Sequence, residues 1–308
     1  MLARAADDSS TNAPTACASP HPVCDPETVT VATPATTDTR TARTWALVPA
    51  LIVCGAAVLL FGVQLKWPGY AMLAVGLVVA WIVERATGEH ALLRDLGLIA
   101  LGQVIISTIS LEADISYANM ALMGAVLALA VAVPYVISRF VFGDRIIRFP
   151  WRTGHRWTPV QWSYLGLVVL LGWLILPFYF ITSGVYTNWP TVTEPDEIAR
   201  LFVGVNAVGI WDELFFIVTC FALLRRHFPD WLANCLQAIV FVSFLWELGY
   251  QSWGPLLTIP FALLQGWTFR LTKSLTYVIT VHLLFDLVVF LVIVYAHLGV
   301  PPIFLLAP

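Results

Sequence analysis

The sequence predicts an all-α protein, a polytopic transmembrane helix bundle with about nine membrane-spanning helices. Three observations carry this reading. Of 308 residues, 59% are hydrophobic and only 11% charged, with a mean hydropathy of +0.82; an average soluble domain has roughly 25% charged residues. Nine apolar segments follow one another along the chain. Lysine and arginine gather on alternate connections between them, as they do on cytoplasmic loops.

In chain order, residues 1–43 are rich in Ala, Thr, Pro, Ser and Asp and hold no apolar run, the composition of a disordered tail. They do not form a cleavable signal, which needs an apolar stretch soon after a basic start, whereas the first one here begins near Trp45. Residues 44–142 hold four segments, Trp45 to Leu65, Trp67 to Val83, Leu96 to Leu111 and Tyr117 to Ile137. A basic loop, 143–160, is the strongest internal boundary. Residues 161–300 hold five more segments: Trp162 to Ile181, Ile198 to Leu224, Trp231 to Leu248, Leu256 to Phe269 and Leu275 to Leu298. Residues 301–308 form a short tail. The second, third and eighth segments are short of the ~20 residues that cross a ~30 Å core. Pro260 marks the eighth as a re-entrant candidate. No internal repeat is evident.

If the amino terminus is cytoplasmic and all nine segments cross, fourteen of the sixteen Lys and Arg residues lie inside and only Lys66 and Arg200 outside. The outer loops then carry Glu112, Asp114, Glu194, Asp196 and Glu197, and the carboxyl terminus is outside. This is the arrangement of an integral protein of a bacterial-type plasma membrane.

Several functions are excluded. A net charge of −3 without a basic stripe argues against a nucleic-acid partner. The five cysteines, Cys17, Cys24, Cys54, Cys220 and Cys235, form no C-x-x-C pair, so neither a disulfide framework nor a zinc knuckle is indicated. The two lysines, Lys66 and Lys273, flank spans rather than occupy them, which excludes a Schiff base within the bilayer. A proton-coupled transporter is not excluded, but no paired half-helix repeat supports it.

Of nineteen carboxylates, four lie within spans: Asp212, Glu213, Glu247 and Asp286, joined by His282. Each acidic group costs about 2.5 to 3.5 kcal/mol at a helix centre, so the four together cost on the order of 10 kcal/mol unless they share partners or water. They are therefore expected to cluster. Their depths in ideal helices fall within one ~12 Å layer. His282 and Asp286, four apart, stack on one face, whereas Asp212 and Glu213 diverge by about 100°, so that one of them is expected to face the cluster fully. The first four spans contribute no ionisable group and read as scaffold. Carboxylates crowded in a low dielectric cannot all carry charge, which puts an acid and a base in one pocket. Such a pocket serves general acid/base chemistry on water or, with His282, a metal held by oxygen and nitrogen ligands. The spacing does not choose between them.

The run Asp212-Glu213-Leu214-Phe215-Phe216, then Gln265-Gly266, Lys273-Ser274-Leu275 and His282-Leu283-Leu284-Phe285-Asp286, resembles the CPBP family of intramembrane proteases. That family includes the type II CAAX prenyl endopeptidases and the bacterial Abi proteins of bacteriocin processing and self-immunity. Its motifs are E-E-x-x-x-R, F-x-x-x-H and H-x-x-x-N/D. The resemblance spans about residues 165 to 295.

It implies that Asp212 stands at the first glutamate, the water-activating base, and Glu213 at the second. It also implies that His282 and Asp286 line the oxyanion site; Asp286 can donate there only when protonated. Two positions depart from the motifs: Ile217 replaces the arginine, and the second histidine is missing, with Glu247 the only ionisable residue near its place. The resemblance implies an intramembrane endopeptidase that requires no cofactor, acting on a membrane-associated or lipid-modified peptide that enters between helices. Two alternatives remain open, a carboxylate and histidine metal site, and a catalytically degenerate member serving as scaffold or immunity partner.

Overall fold

The computed structural model describes residues 36–88, 90–151 and 156–298 of the chain, with side chains from residue 44 onward. Every regular element among them is helical. They are α1 (Thr36–Ala57), α2 (Lys66–Thr87), α3 (Leu92–Ile106), α4 (Tyr117–Val136), α5 (Pro159–Thr182), α6 (Pro195–Asp212), the short turn α7 (Ala222–Leu224), α8 (Asp230–Leu248), α9 (Pro255–Thr272) and α10 (Leu275–Leu298). Three wider, π-helical stretches, Val58–Gly62, Ile137–Val141 and Glu213–Phe221, continue α1, α4 and α6.

Local chemistry sets the helix boundaries. Thr158 caps α5 in a reciprocal pair with Gln161, with Pro159 in its first turn. Glu194 and Glu197 open α6 in the same manner around Pro195. Gly88 ends α2 at φ +70°, a conformation open to glycine. The third segment closes at Ile106, five residues before its expected end at Leu111. There Ser107 Oγ and Thr108 Oγ1 donate to the carbonyls three residues back, at 2.8 and 2.7 Å, and compete with the helix. The eighth segment forms one continuous helix, α9, with Pro260 inside it. Of the expected amino-terminal tail, residues 1–35 lie outside the described residues; Thr36 to Arg43 already belong to α1, since extending a helix is easier than nucleating one. The tail at 301–308 also lies outside them.

Seven stretches are long and apolar enough to cross a bilayer: 44–62, Lys66–Thr87, 117–141, Pro159–Thr182, 195–224, Asp230–Leu248 and Leu275–Leu298. The expected count of about nine is not confirmed, because α3 and α9 do not meet that measure. With 15 residues α3 spans only about 22 Å.

The ends of the bundle differ in charge. At one end Arg226 pairs with Asp95 at 3.2 Å and with Asp144, and Asp95 also meets His227 Nε2 at 2.8 Å. Arg225 and Arg270 both bind Asp230 at 2.7 Å, and the Leu275 N–H donates to Pro150 at 3.1 Å. This basic end thus ties together α3, the loop after α4, and the turns before α8 and α10. Burial alone would raise the Asp144 carboxyl, but Arg226 and the Arg145 N–H hold it below the ordinary range. At the opposite end Arg200 donates to the Ile115 carbonyl at 2.8 Å and Asn188 to that of Gly249 at 2.9 Å.

Candidate active site

The site sits where α6, α9 and α10 meet. At Glu213 the chain leaves α-helical winding for the π-helical stretch, and Thr219 Oγ1 donates five residues back to the Leu214 carbonyl at 2.9 Å. Such widened turns are frequent at functional sites. Aromatic packing fixes this stretch: Trp211 stacks on Phe215 at 5.2 Å, and Phe216 stacks on Phe241 of α8 at 4.4 Å. On the far side Asn234 and Gln237 of α8 donate to the Leu263 and Ala262 carbonyls of α9, at 2.8 and 3.1 Å. Gly266 permits this approach, since a Cβ there would overlap the Asn234 side chain.

His282 is the hub. Its Nδ1 lies 2.7 Å from Glu213 Oε1, while its Nε2 faces Asp212 Oδ2 at 3.6 Å and Asp286 Oδ1 at 3.8 Å. Gln265 Nε2 donates to the same Glu213 oxygen at 2.7 Å, and the Phe261 ring stands edge-on to the imidazole at 4.9 Å. All four ionisable side chains are buried. Asp212 Oδ1, Glu213 Oε2 and Asp286 Oδ2 accept no hydrogen bond from the described residues.

Both adjacent carboxylates therefore reach the hub, where helical geometry led us to expect one. The reason is that the two edges of one imidazole meet them separately, Nδ1 taking Glu213 and Nε2 facing Asp212.

Asp212, His282 and Asp286 line a cavity of about 660 Å3 between α4 and α6. Its walls are mostly apolar, with Met123 and Leu127 on α4 facing Val205 and Val208 on α6. Trp211 Nε1 donates to the Leu127 carbonyl at 2.6 Å and joins the two walls. A second cavity, about 20 Å3, lies behind His282 and Asp286 against Tyr179, Thr258 and Phe261. Its size suits one water molecule.

Glu247 stands apart. It is buried against the Leu111 backbone, with Lys66 and Glu112 as its charged neighbours, and lines neither cavity. The position that faces His282 and Asp286 from α8 is Leu245, two residues earlier and therefore about 200° around the helix. Phe241 stands four residues before Leu245, so the spacing F-x-x-x-H is met with leucine in the histidine's place. At the first motif Ile217 is fully buried, and Gln265 and His282 contact the carboxylate that an arginine was expected to pair.

Three residues join the site that were not singled out for it. Gly209 makes room for it, since a Cβ there would collide with Asp286 Oδ2 and press on His282. Its signal was its place three residues before Asp212, on the same helical face. Gln265 is a buried amide in an apolar segment, costly without a partner. Tyr250 lines both cavities from the turn after α8, held by Trp189 and Phe180 rings at 5.3 and 5.8 Å. Burial, and then the Asp286 and Asp212 carboxylates, hold its phenol well above the ordinary range.

Among the described residues no group of three or more His, Cys, Asp or Glu side chains is arranged to hold a metal ion. His282 instead divides its two nitrogens among different carboxylates.

Residues 194–288 match the family described as type II CAAX prenyl endopeptidase Rce1-like, which bears out the resemblance to the CPBP family. The match contains all five ionisable residues discussed above and leaves α1 to α5 outside. This is a family of membrane proteases, and with seven apolar helices the chain is an integral membrane protein. No curated protein and no solved structure gives a significant match.

Proposed function

We propose that the chain is an intramembrane endopeptidase in which a carboxylate activates water against a peptide bond of a membrane-associated peptide or protein. The observation that carries this reading is a pair of buried carboxylate oxygens, Asp212 Oδ1 and Asp286 Oδ2. Neither accepts a hydrogen bond from the described residues, and their side chains line the cavity with His282. Leaving such groups without partners in a low dielectric is costly, and a site that binds water and a carbonyl removes the cost.

In this scheme Asp212 takes a proton from water, whose oxygen attacks the carbonyl carbon. His282 Nε2–H and protonated Asp286 donate to the developing oxyanion. Collapse breaks the carbon–nitrogen bond, and the proton held by Asp212 passes to the leaving amine, giving a carboxylic acid and an amine. Glu213 is a positioning residue. With Gln265 it holds Nδ1 and turns Nε2 toward the cavity. Glu247 supplies no group. The chemistry runs without a cofactor, and the arginine-rich end of the bundle is the cytoplasmic one.

The test compares new protein amino termini in membranes of cells expressing the parent or Asp212→Asn at matched levels. Termini seen only with the parent support the scheme. Identical sets would sink it and favour a degenerate scaffold or immunity partner, a reading to which Leu245 and Ile217 lend weight.

A further inference from the structure

The groove between α4 and α6 and the small cavity behind the site share four lining residues, Leu245, Tyr250, His282 and Asp286. These four form the partition between the two spaces. A carbonyl oxygen turned toward His282 and Asp286 comes to rest against it. Leu245 has no hydrogen to donate there, so Tyr250 is the remaining polar side chain of the partition. Local structure fixes its position. Gly249 takes φ +127°, a conformation open to glycine, and its carbonyl accepts from Asn188 Nδ2 at 2.9 Å. The Tyr250 N–H then donates to the Leu245 carbonyl at 3.0 Å, which folds the turn back over the end of α8. On the next residue, the Gln251 carbonyl accepts from the Tyr179 hydroxyl at 2.7 Å. The Trp189 and Phe180 rings stand edge-on to that of Tyr250 and restrict its rotation.

The hydroxyl at the tip of this clamped ring differs from its counterparts. Tyr179 and Tyr277 are also buried, and they donate to the Gln251 and Gln161 carbonyls at 2.7 and 2.8 Å. The Tyr250 hydroxyl donates to none of the described residues. Burying a hydroxyl without an acceptor is costly, and an acceptor brought by a bound substrate removes the cost. We propose that Tyr250 is a catalytic residue of this site, whose hydroxyl donates a hydrogen bond to the oxyanion formed when water adds to the carbonyl, alongside His282 Nε2–H and Asp286. This inference rests on the peptidase reading. The phenol lends a hydrogen bond and keeps its own proton, so the route from water through Asp212 to the leaving amine is unchanged. Burial, followed by the Asp286 and Asp212 carboxylates, holds it protonated at neutral pH and therefore able to donate. Because the ring is fixed before substrate arrives, the bond requires no reorganisation as charge develops. It also places a donor in the partition where Leu245 has none.

The experiment uses the full chain in lipid nanodiscs and, as substrate, a peptide spanning a junction that is cut in membranes carrying the parent but not in those carrying Asp212→Asn. Tyr250→Phe removes the hydroxyl and keeps the ring, and kcat, KM and thermal stability are measured for it and for the parent. The expected result is a fall in kcat on the order of a hundredfold, with KM changed by less than about twofold and thermal stability retained. Tyr277→Phe is the control. It loses the bond to the Gln161 carbonyl, away from both cavities, and is expected to lower thermal stability while leaving kcat at the parental level. A kcat for Tyr250→Phe within about threefold of the parent's overturns the proposal. So does a loss confined to KM, or one accompanied by lower thermal stability, since either makes Tyr250 a packing residue. Those results, with cleavage still dependent on Asp212, leave the peptidase reading standing, whereas membranes without any junction specific to the parent overturn both.

Discussion

Gly209→Ala tests the packing of the site against a competing effect of opposite sign. In a helix interior, alanine in place of glycine gains about 1 kcal/mol. Here the added methyl meets Asp286 Oδ2 and the His282 ring, so α6 and α10 must separate or the carboxylate must turn away. Overpacking of this kind costs about 1 to 3 kcal/mol, and the net expectation is a loss of about 0 to 2 kcal/mol. Gly204, five residues earlier on the same helix, isolates the first effect, because a Cβ there meets open space. Gly204→Ala is therefore expected to match or exceed parental thermal stability in detergent, and Gly209→Ala to fall below it. The chemistry suffers more than the fold. A shift of the oxyanion-side carboxylate by about 1 Å costs on the order of a hundredfold in rate, read as loss of the parent-specific amino termini. A Gly209→Ala protein more stable than the parent, with its termini unchanged, would refute both the close packing and the role given to Asp286.

The motif register is checked by two substitutions. Leu245→His restores a proton-transferring group beside His282 and Asp286 and is expected to raise turnover at least tenfold, whereas Glu247→His leaves turnover at or below the parental level. A gain confined to Glu247→His would return the second motif to its first assignment. At the basic end, Asp95→Ala removes the carboxylate shared by Arg226 and His227 and is expected to cost about 3 to 5 kcal/mol in unfolding measurements, with Asp95→Asn milder. The Asp144 carboxyl is held below its ordinary value of 3.8 in the folded protein. Its contribution to stability is thus present above that value and is lost as pH falls through the lower folded one. Acid titration of thermal stability should show a steeper decline below about pH 4 in the parent than in Asp144→Asn, and equal slopes would remove the pair with Arg226 from the account.

Much of this was legible in the sequence, and the reasons differ by feature. Apolar length exposed the long helices, because a bilayer leaves no other way to satisfy a backbone. It was less informative for α3, whose serine and threonine side chains end the helix early, and for α9, where one proline was consistent with either a break or a continuous helix. The cost of burying charge brought Asp212, Glu213, His282 and Asp286 together before any geometry was known. The same argument was too blunt for Glu247. Energy requires a buried carboxylate to find company, but not at the site, and two residues along α8 were enough to turn it toward Leu111. Gly209 and Tyr250 escaped notice because neither carries a charge; one acts by lacking a side chain and the other sits in a turn. The π-helical stretch that presents Glu213 has no composition of its own.

The seam from Trp211 to the Leu127 carbonyl joins a part of the chain inside the family match to one outside it. On one side are Asp212, Glu213, His282 and Asp286, all within the segment that matches the protease family. On the other is α4, which forms a wall of the groove and brings no carboxylate, imidazole or basic side chain to it. Chemistry and admission are thereby assigned to separable stretches of sequence. A chain that kept residues 194–288 and exchanged its first four helices would retain its reacting groups while changing the width and lining of the passage that leads to them. In such an architecture new selectivity can arise by replacing scaffold, with the expensive buried charges left undisturbed.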